Sequence, residues 1–369
     1  MNIGGPSRQI ALLHLHLGLA DNDHILVIGE VSEFEFEADL SFSRNVHRIK
    51  SLKRGINPFL DIATTLALIR VIRIEKPDII HTHLSKAWLL GLIANELSRN
   101  KSVMIHTFHG HTLVGYFQGL FSELLIKIQK KAASSTDFLI TVGKKISNDL
   151  LILGIGTPQK FKVIYPGVFT DRALEVENKD QDKINLLYVG RLEPIKKPQF
   201  LLQICRELEL LSISYQLIVV GQGSMFEEIR HLAEKEKLDI AFHGWQQEIG
   251  EFLHNADLLL LGSISEGTPI VIVEAATFAV PTLTTNVGAI NEMITNGVSG
   301  FIEPDTIAFA EKIRYLSENR GVLTSAGSRA HSEMSVKFGL PQFITAHKDL
   351  YSLAIQTRLE KRQNEEKNV

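Results

Sequence analysis

Two carboxylates with seven residues between them, Glu266 and Glu274, bracket the run Gly267-Thr268-Pro269-Ile270-Val271-Ile272-Val273. An apolar strand pattern, Asp257–Leu261, ends just ahead of the pair. Pro269 then suits the first residue of a helix, where its fixed φ fits and its missing N–H is not needed. That turn sets Glu266 immediately before a helix N-terminus and leaves Glu274 more than one turn along the helix. Uncommitted N–H groups at a helix start attract phosphate oxygens, and a carboxylate accepts hydrogen bonds from sugar hydroxyls. The chemistry this spacing suits is the holding of a sugar joined to a diphosphate.

Other charged and glycine-rich stretches bear on the same chemistry. Arg191 and Lys196, in Gly190-Arg191-Leu192-Glu193-Pro194-Ile195-Lys196-Lys197, follow a second strand end and could be phosphate ligands or merely solvated loop cations. Gly4-Gly5 opens a helical pattern with apolar residues at Ile10, Leu13 and Leu17, a turn that lets backbone approach a diphosphate closely. Histidines 81, 83, 106, 109 and 111 gather at two strand ends. No carboxylate or cysteine joins them at ligand spacing, so no metal site is expected. Asp21-Asn22-Asp23 reads as a turn, and Gly221-Gln222-Gly223 as a helix-entry turn without the third glycine of a dinucleotide fingerprint.

These residues need elements to hold them, and the chain supplies alternating β and α patterns almost throughout. Expected strands are 24–28, 78–83, 102–108, 137–142 and 162–165 in the first half. In the second they are 185–190, 216–221, 240–243, 257–261, 281–284 and 300–302, each followed by a helical pattern. Such alternation implies parallel sheets covered by helices on both faces. A length of 369 residues calls for two domains. The polar stretch 170–183 divides them into residues 1–169 and 184–339, and a C-terminal helix near 340–362 is free to pack back on the first domain. Ligands of doubly wound domains bind at the carboxyl ends of strands, so the cleft between the domains is the expected site. One irregularity stands at the start: the Gly4-Gly5 turn is not preceded by the buried strand such a turn normally follows, so the first strand of the first sheet is expected to be missing.

Composition narrows the setting. Hydrophobic residues make up 44% and charged ones 22%, normal for a globular chain. A single cysteine, Cys205, excludes an internal disulfide and fits a reducing compartment. No apolar run approaches the roughly 18 residues a membrane span needs. Residues 1–170 carry 19 Lys/Arg against 14 Asp/Glu, a net of +5, while 171–369 carry 20 against 28, a net of -8.

In their order and placement these motifs resemble family 4 glycosyltransferases of the two-domain GT-B type, along almost the whole chain. The likeness rests on Gly4-Gly5, His106-Thr107-Phe108-His109-Gly110-His111, the Arg191/Lys196 loop, the Glu266 to Glu274 element and the turn Asn286-Val287-Gly288-Ala289. Two runs, Glu266-Gly267-Thr268-Pro269 and His81 to Phe117, resemble the bacterial surface-polysaccharide branch. The resemblance implies two Rossmann-like domains and a retaining transfer of a hexosyl-type sugar from a nucleoside diphosphate, a UDP-sugar above all. It implies His109, Arg191, Lys196 and Glu266 in the reaction, and Gly4, Gly5, Gly267, Thr268, Pro269, Ile270 and Glu274 around the donor. Glu266 would meet sugar hydroxyls and Glu274 the ribose. No cofactor and no metal is implied, since fixed cations and helix dipoles do the work a divalent ion does elsewhere.

The acceptor expected is a hydroxyl of a glycan or lipid-linked molecule. Arg44, His47, Arg48, Lys50, Lys53 and Arg54 form a basic stretch, and the run from Tyr116 to Lys131 mixes lysines with apolar residues. Both suit peripheral contact with an anionic membrane, or simply a solvated surface. The expected place is the cytoplasm, at the inner face of the plasma membrane if that contact holds, with no nucleic acid as partner. Two alternatives remain beside the transferase: a nucleotide-sugar epimerase of the same architecture, and a noncatalytic binding subunit.

Overall fold

A computed structural model describes residues 5–18, 24–30, 45–53, 55–110, 120–170 and 182–367. The chain divides into two compact units, one made of the residues up to Gly110, Gln118–Gly167 and the segment from Pro341, the other including Val168–Leu340. Most of the expected linker, residues 171–181, lies outside the described residues.

The first unit begins with α1 (Gly5–Gly18), followed by β1 (Leu26–Ile28), β2 (Val46–Arg48), α2 (Pro58–Glu75), β3 (Ile79–His83) and α3 (Ser85–Ser98). It continues through β4 (Val103–Phe108), α4 (Leu120–Ser134), β5 (Phe138–Thr141), α5 (Lys144–Ile152) and β6 (Phe161–Val163). Among the described residues all strand pairings are parallel, but the strands form two sheets, β1-β2 and β3-β4-β5-β6, where an uninterrupted doubly wound domain has one. β2 was not anticipated: Val46-His47-Arg48 is too short for alternation to show, and its place in the sheet puts part of the basic stretch into a strand. Gln9 ties α1 down through paired amide bonds with Gly167, Nε2 donating at 2.8 Å and Oε1 accepting at 2.7 Å.

The second unit contains β7 (Ile184–Val189), α6 (Gln199–Leu210), β8 (Tyr215–Val220), α7 (Phe226–Glu236), β9 (Ile240–Gly244) and α8 (Gly250–Asn255). Then come β10 (Leu258–Leu261), α9 (Ile270–Thr277), β11 (Thr282–Thr284), α10 (Ile290–Met293), β12 (Phe301–Ile302), α11 (Thr306–Glu318) and α12 (Arg320–Phe338). Its six strands make one parallel sheet in the order β12-β11-β10-β7-β8-β9. Alternate residues Leu186, Tyr188, Leu217, Val219, Leu258 and Leu260 enter one core with Phe200 and Ile204 of α6 and Phe309 and Ile313 of α11. The residues between them, such as Leu187 and Leu259, are buried as well, so both faces of the sheet are covered.

A final helix, α13 (Leu340–Lys367), returns to the first unit. Phe343, His347, Leu350 and Ala354 recur at helical spacing and are all buried. Arg358 fixes the far end, Nη1 donating to Pro77 O at 2.6 Å and lying 2.9 Å from Asp78 Oδ1.

Candidate functional site

In the second unit the strand order reverses at β7, which has β8 on one side and β10 on the other. Leu258 pairs with Leu186 and Leu259 with Leu187, so β7 and β10 run side by side and end together. That is the switch point of an open α/β sheet, where loops diverge and leave room for a ligand. The loop after β7 carries Arg191 and Lys196; the loop after β10 carries Ser263 and Glu266. Ile264 N donates to Ile195 O at 2.9 Å and stitches the two loops together.

Their side chains meet as well. Lys196 Nζ stands 2.5 Å from Glu266 Oε1, and Ser263 Oγ donates to the same oxygen at 2.6 Å. The Glu266 side chain is 8% exposed and that of Lys196 22%, whereas Arg191 is exposed. Lys196 is thus partly covered, because the short turn Pro194–Lys196 turns it toward the neighbouring strand end. Beneath them Tyr188 Oη donates to Arg191 O at 3.0 Å. Burial, and then the negative charge of Glu266, push that phenol up.

Two glycines make this packing possible. Gly288 has φ +57, and a Cβ there would lie 2.2 Å from Glu266 O, so the following turn can press against the Glu266 loop. Ala289 N accordingly donates to Gly267 O at 3.0 Å. Gly221 has φ +137 and would set a Cβ 1.9 Å from Gly190 O, so it serves the close approach of β8 to the Arg191 loop.

Helix α9 begins at Ile270, with Pro269 as its N-cap at φ -66 and ψ 109. The expectation that Pro269 is the first helical residue is corrected by one position: its ψ is extended, so the ring closes the loop instead of opening the helix. The first N–H groups of α9 are then those of Ile270 and Val271, which have no acceptor within the helix. Gly267 precedes buried Thr268, and Glu274 lies half-buried in the middle of α9.

In the first unit the histidines divide by strand alternation. His81 and His83 share one face of β3, and β4 sets Thr107 opposite His83. His81 Nε2 bonds Thr107 Oγ1 at 2.7 Å, His81 Nδ1 bonds Tyr351 Oη at 2.6 Å, and His83 Nδ1 bonds His109 Nε2 at 2.9 Å. His106 points the other way, stacked on Trp88 at 4.2 Å with 3° between the rings, which makes it a core side chain. Burial, reinforced by His347, pulls His109 down to about 4, and burial does the same to His347. His81 and His83 are also drawn well below the ordinary imidazole value, first by burial and then by their neighbours. At neutral pH the cluster is a set of neutral hydrogen-bonding rings.

Among the described residues no group of three or more His, Cys, Asp and Glu side chains is arranged to hold a metal ion. Gly4, His111 and Asp21-Asn22-Asp23 lie outside the described residues, while Gly5 is the first residue of α1. The structure brings Lys196 to Glu266 and sets Arg191 on the same loop. Sequence reasoning missed Ser263 and, in the first unit, His347 and Tyr351. Ser263 had a signal, a small polar residue three positions before Glu266. The α13 pair had none, being 238 residues or more beyond His109 in the chain.

Comparison with known proteins supplies an independent view. Residues 3–172 match the model of Glycosyltransferase Family 4, and residues 169–332 that of Glycosyl transferases group 1. An Escherichia coli protein named UDP-Gal:alpha-D-GlcNAc-diphosphoundecaprenol alpha-1,3-galactosyltransferase is 25% identical over 321 residues, covering 82% of each chain. The Staphylococcus aureus capsular polysaccharide biosynthesis glycosyltransferase CapM is 23% identical, covering 80% of this chain and 82% of its own. Among solved structures, Anabaena HepE in complex with UDP-glucose superposes with a TM-score of 0.75 at 18% identity, over 95% of this chain and 97% of that one. Sucrose-phosphate synthase from Thermosynechococcus elongatus reaches 0.81 at 17% identity, over 96% and 94%.

Proposed function

The chain belongs to the family 4 glycosyltransferases of GT-B architecture, and from that premise we propose a retaining enzyme that moves a hexosyl-type sugar from a UDP-sugar to a hydroxyl of a glycan or lipid-linked acceptor in cell-surface polysaccharide synthesis. One observation carries the reading: cations and carboxylates of the expected types stand together at the ends of the adjacent strands β7 and β10. The names of the E. coli and S. aureus relatives, and the UDP-glucose bound to HepE, support the donor and acceptor classes.

Breaking the anomeric C–O bond builds positive charge on the sugar and negative charge on the leaving diphosphate. Arg191, Lys196 and the first amides of α9 are fixed where that negative charge develops, and preorganised groups of this kind are often the largest catalytic term. Glu266 accepts hydrogen bonds from the sugar hydroxyls, Glu274 from the ribose, and neutral His109 offers the donor a hydrogen bond without a charge. The acceptor hydroxyl attacks from the face the diphosphate leaves, and a leaving phosphate oxygen takes its proton. No protein nucleophile is required. Basic residues of the first unit, Arg48, Lys50 and Lys53, supply peripheral contact with an anionic membrane at the cytoplasmic side; among the described residues no helix is long and apolar enough to cross one.

Release of UDP from a panel of UDP-sugars, with and without lipid-linked glycan acceptors, tests the reading. Acceptor-dependent UDP release from at least one donor is expected, with the anomeric configuration kept. Interconversion of the UDP-sugars without transfer would make the protein an epimerase instead.

A further inference from the structure

The proposed donor site asks two different things of Lys196. A leaving diphosphate needs its ammonium, yet in the structure that ammonium is held at 2.5 Å by Glu266, a carboxylate whose side chain is only 8% exposed. A diphosphate placed on Lys196 next to Glu266 brings two anions onto one cation in a partly buried site, where their repulsion is weakly screened. A donor sugar removes the conflict, because its hydroxyls can donate to the carboxylate that the ammonium leaves.

We propose that Lys196 and Glu266 form an exchangeable ion pair in which the donor takes both partners at once, its diphosphate the ammonium and its sugar the carboxylate, while Ser263 keeps the carboxylate in place. The inference rests on the donor reading given above. Ser263 is suited to the part: it is 4% exposed, its carbonyl accepts from Thr285 Oγ1 at 3.3 Å, and its hydroxyl donates at 2.6 Å to the same Oε1 that Lys196 occupies. When Nζ departs, the hydroxyl still fixes that oxygen and leaves Oε2 for the sugar. Ser263 is thus a positioning residue acting through Glu266. The exchange also separates whole donor from free nucleoside diphosphate. UDP alone takes the ammonium and gives Glu266 nothing in return, so product is held less well than substrate.

Calorimetric titration of UDP into the full chain and a set of variants tests this. Glu266→Gln frees Lys196 and should bind UDP about tenfold more tightly than the parent protein, about 1.4 kcal/mol. Glu266→Ala should tighten UDP in the same direction, and thermal unfolding of both variants checks that they are folded. The tightening should vanish in a Lys196→Gln background, which a double-mutant cycle measures directly. Ser263→Ala should act in the opposite sense, weakening UDP about tenfold, and should lose that effect once Glu266 is Gln, a dependence a merely structural serine would not show. Unchanged UDP affinity in Glu266→Gln, or tightening that persists without Lys196, overturns the exchange. If the parent protein binds UDP no better than it binds inorganic phosphate, the donor reading itself fails and the exchange with it.

Discussion

The first unit meets its strand ends with imidazoles held neutral, His83 bonded to His109 and His81 to Thr107 and Tyr351. The second meets its own with a lysine and a glutamate in contact across two adjacent loops. Among the described residues the first unit also has its strands in two separate sheets, where the second has one sheet of six. Each unit is therefore vulnerable in its own way: the first depends on its histidines staying unprotonated, the second on charges staying paired.

Acid separates the two most strongly. In the unfolded chain these histidines take up protons near 6.5, whereas folded His109, His347 and His24 do so only near about 4. Stability is complete above 6.5 and falls as pH drops through the window from 6.5 to about 4. One histidine lowered from 6.5 to about 4 accounts for about 3 kcal/mol across that window. Several together are comparable with a typical stability margin of ~5–15 kcal/mol. Trp88, stacked on His106, reports the first unit once Trp245→Phe removes the other tryptophan. Its fluorescence should change between pH 6 and 4 while exchange-protected amides of β7, β8 and β10 persist. Simultaneous loss of both units, or a first unit intact at pH 4, would erase the contrast.

On the second unit's side, Arg191→Ala should lower turnover about 10²-fold at an unchanged melting temperature, because one charge-stabilising group is worth roughly 3 kcal/mol. Lys196→Ala should cost as much in turnover and also lower stability by about 1–3 kcal/mol, since Glu266 loses its ammonium. Near-parental turnover in either variant makes that residue a loop cation only.

Glu274 offers a finer test. If Glu274 holds the ribose as proposed, replacing it by Gln removes a charge-assisted bond worth ~1.5–3 kcal/mol, so UDP should bind about tenfold less tightly, opposite in sign to Glu266→Gln. Equal UDP affinities in the two variants would show that the two carboxylates have been given the wrong parts. The smallest expected effect is that of EDTA. In the proposed mechanism Arg191, Lys196 and the start of α9 carry the leaving-group charge, so excess chelator should leave turnover unchanged, and loss restored by Mg²⁺ would assign that charge to a metal.

Much of the fold could be read in the sequence because parallel strands buried on both faces leave continuous apolar runs. Leu258–Leu261 and Tyr215–Val220 declare themselves in this way. Val46–Arg48 did not, since three residues carry no period. The placement of Arg191, Lys196 and Glu266 after strand ends, and of Glu274 within a helix, was legible because apolar strand runs and helix starts mark those positions locally. The contact of Lys196 with Glu266 was not, because it depends on β10 lying beside β7, a non-sequential neighbour. His347 and Tyr351 escaped for a related reason: α13 reads as a helix from its own spacing, but nothing local says which histidines it covers. Pro269 fell one position from its expected place because a fixed φ suits both the N-cap and the first helical residue, and only ψ decides between them.

If the paired ends of β7 and β10 are the nucleotide site, amide exchange in the full chain with and without UDP shows it directly. UDP should protect amides in residues 190–196 and 263–274 while leaving those of β8's far end and α11 unchanged. UDP binding that protects neither stretch would contradict it.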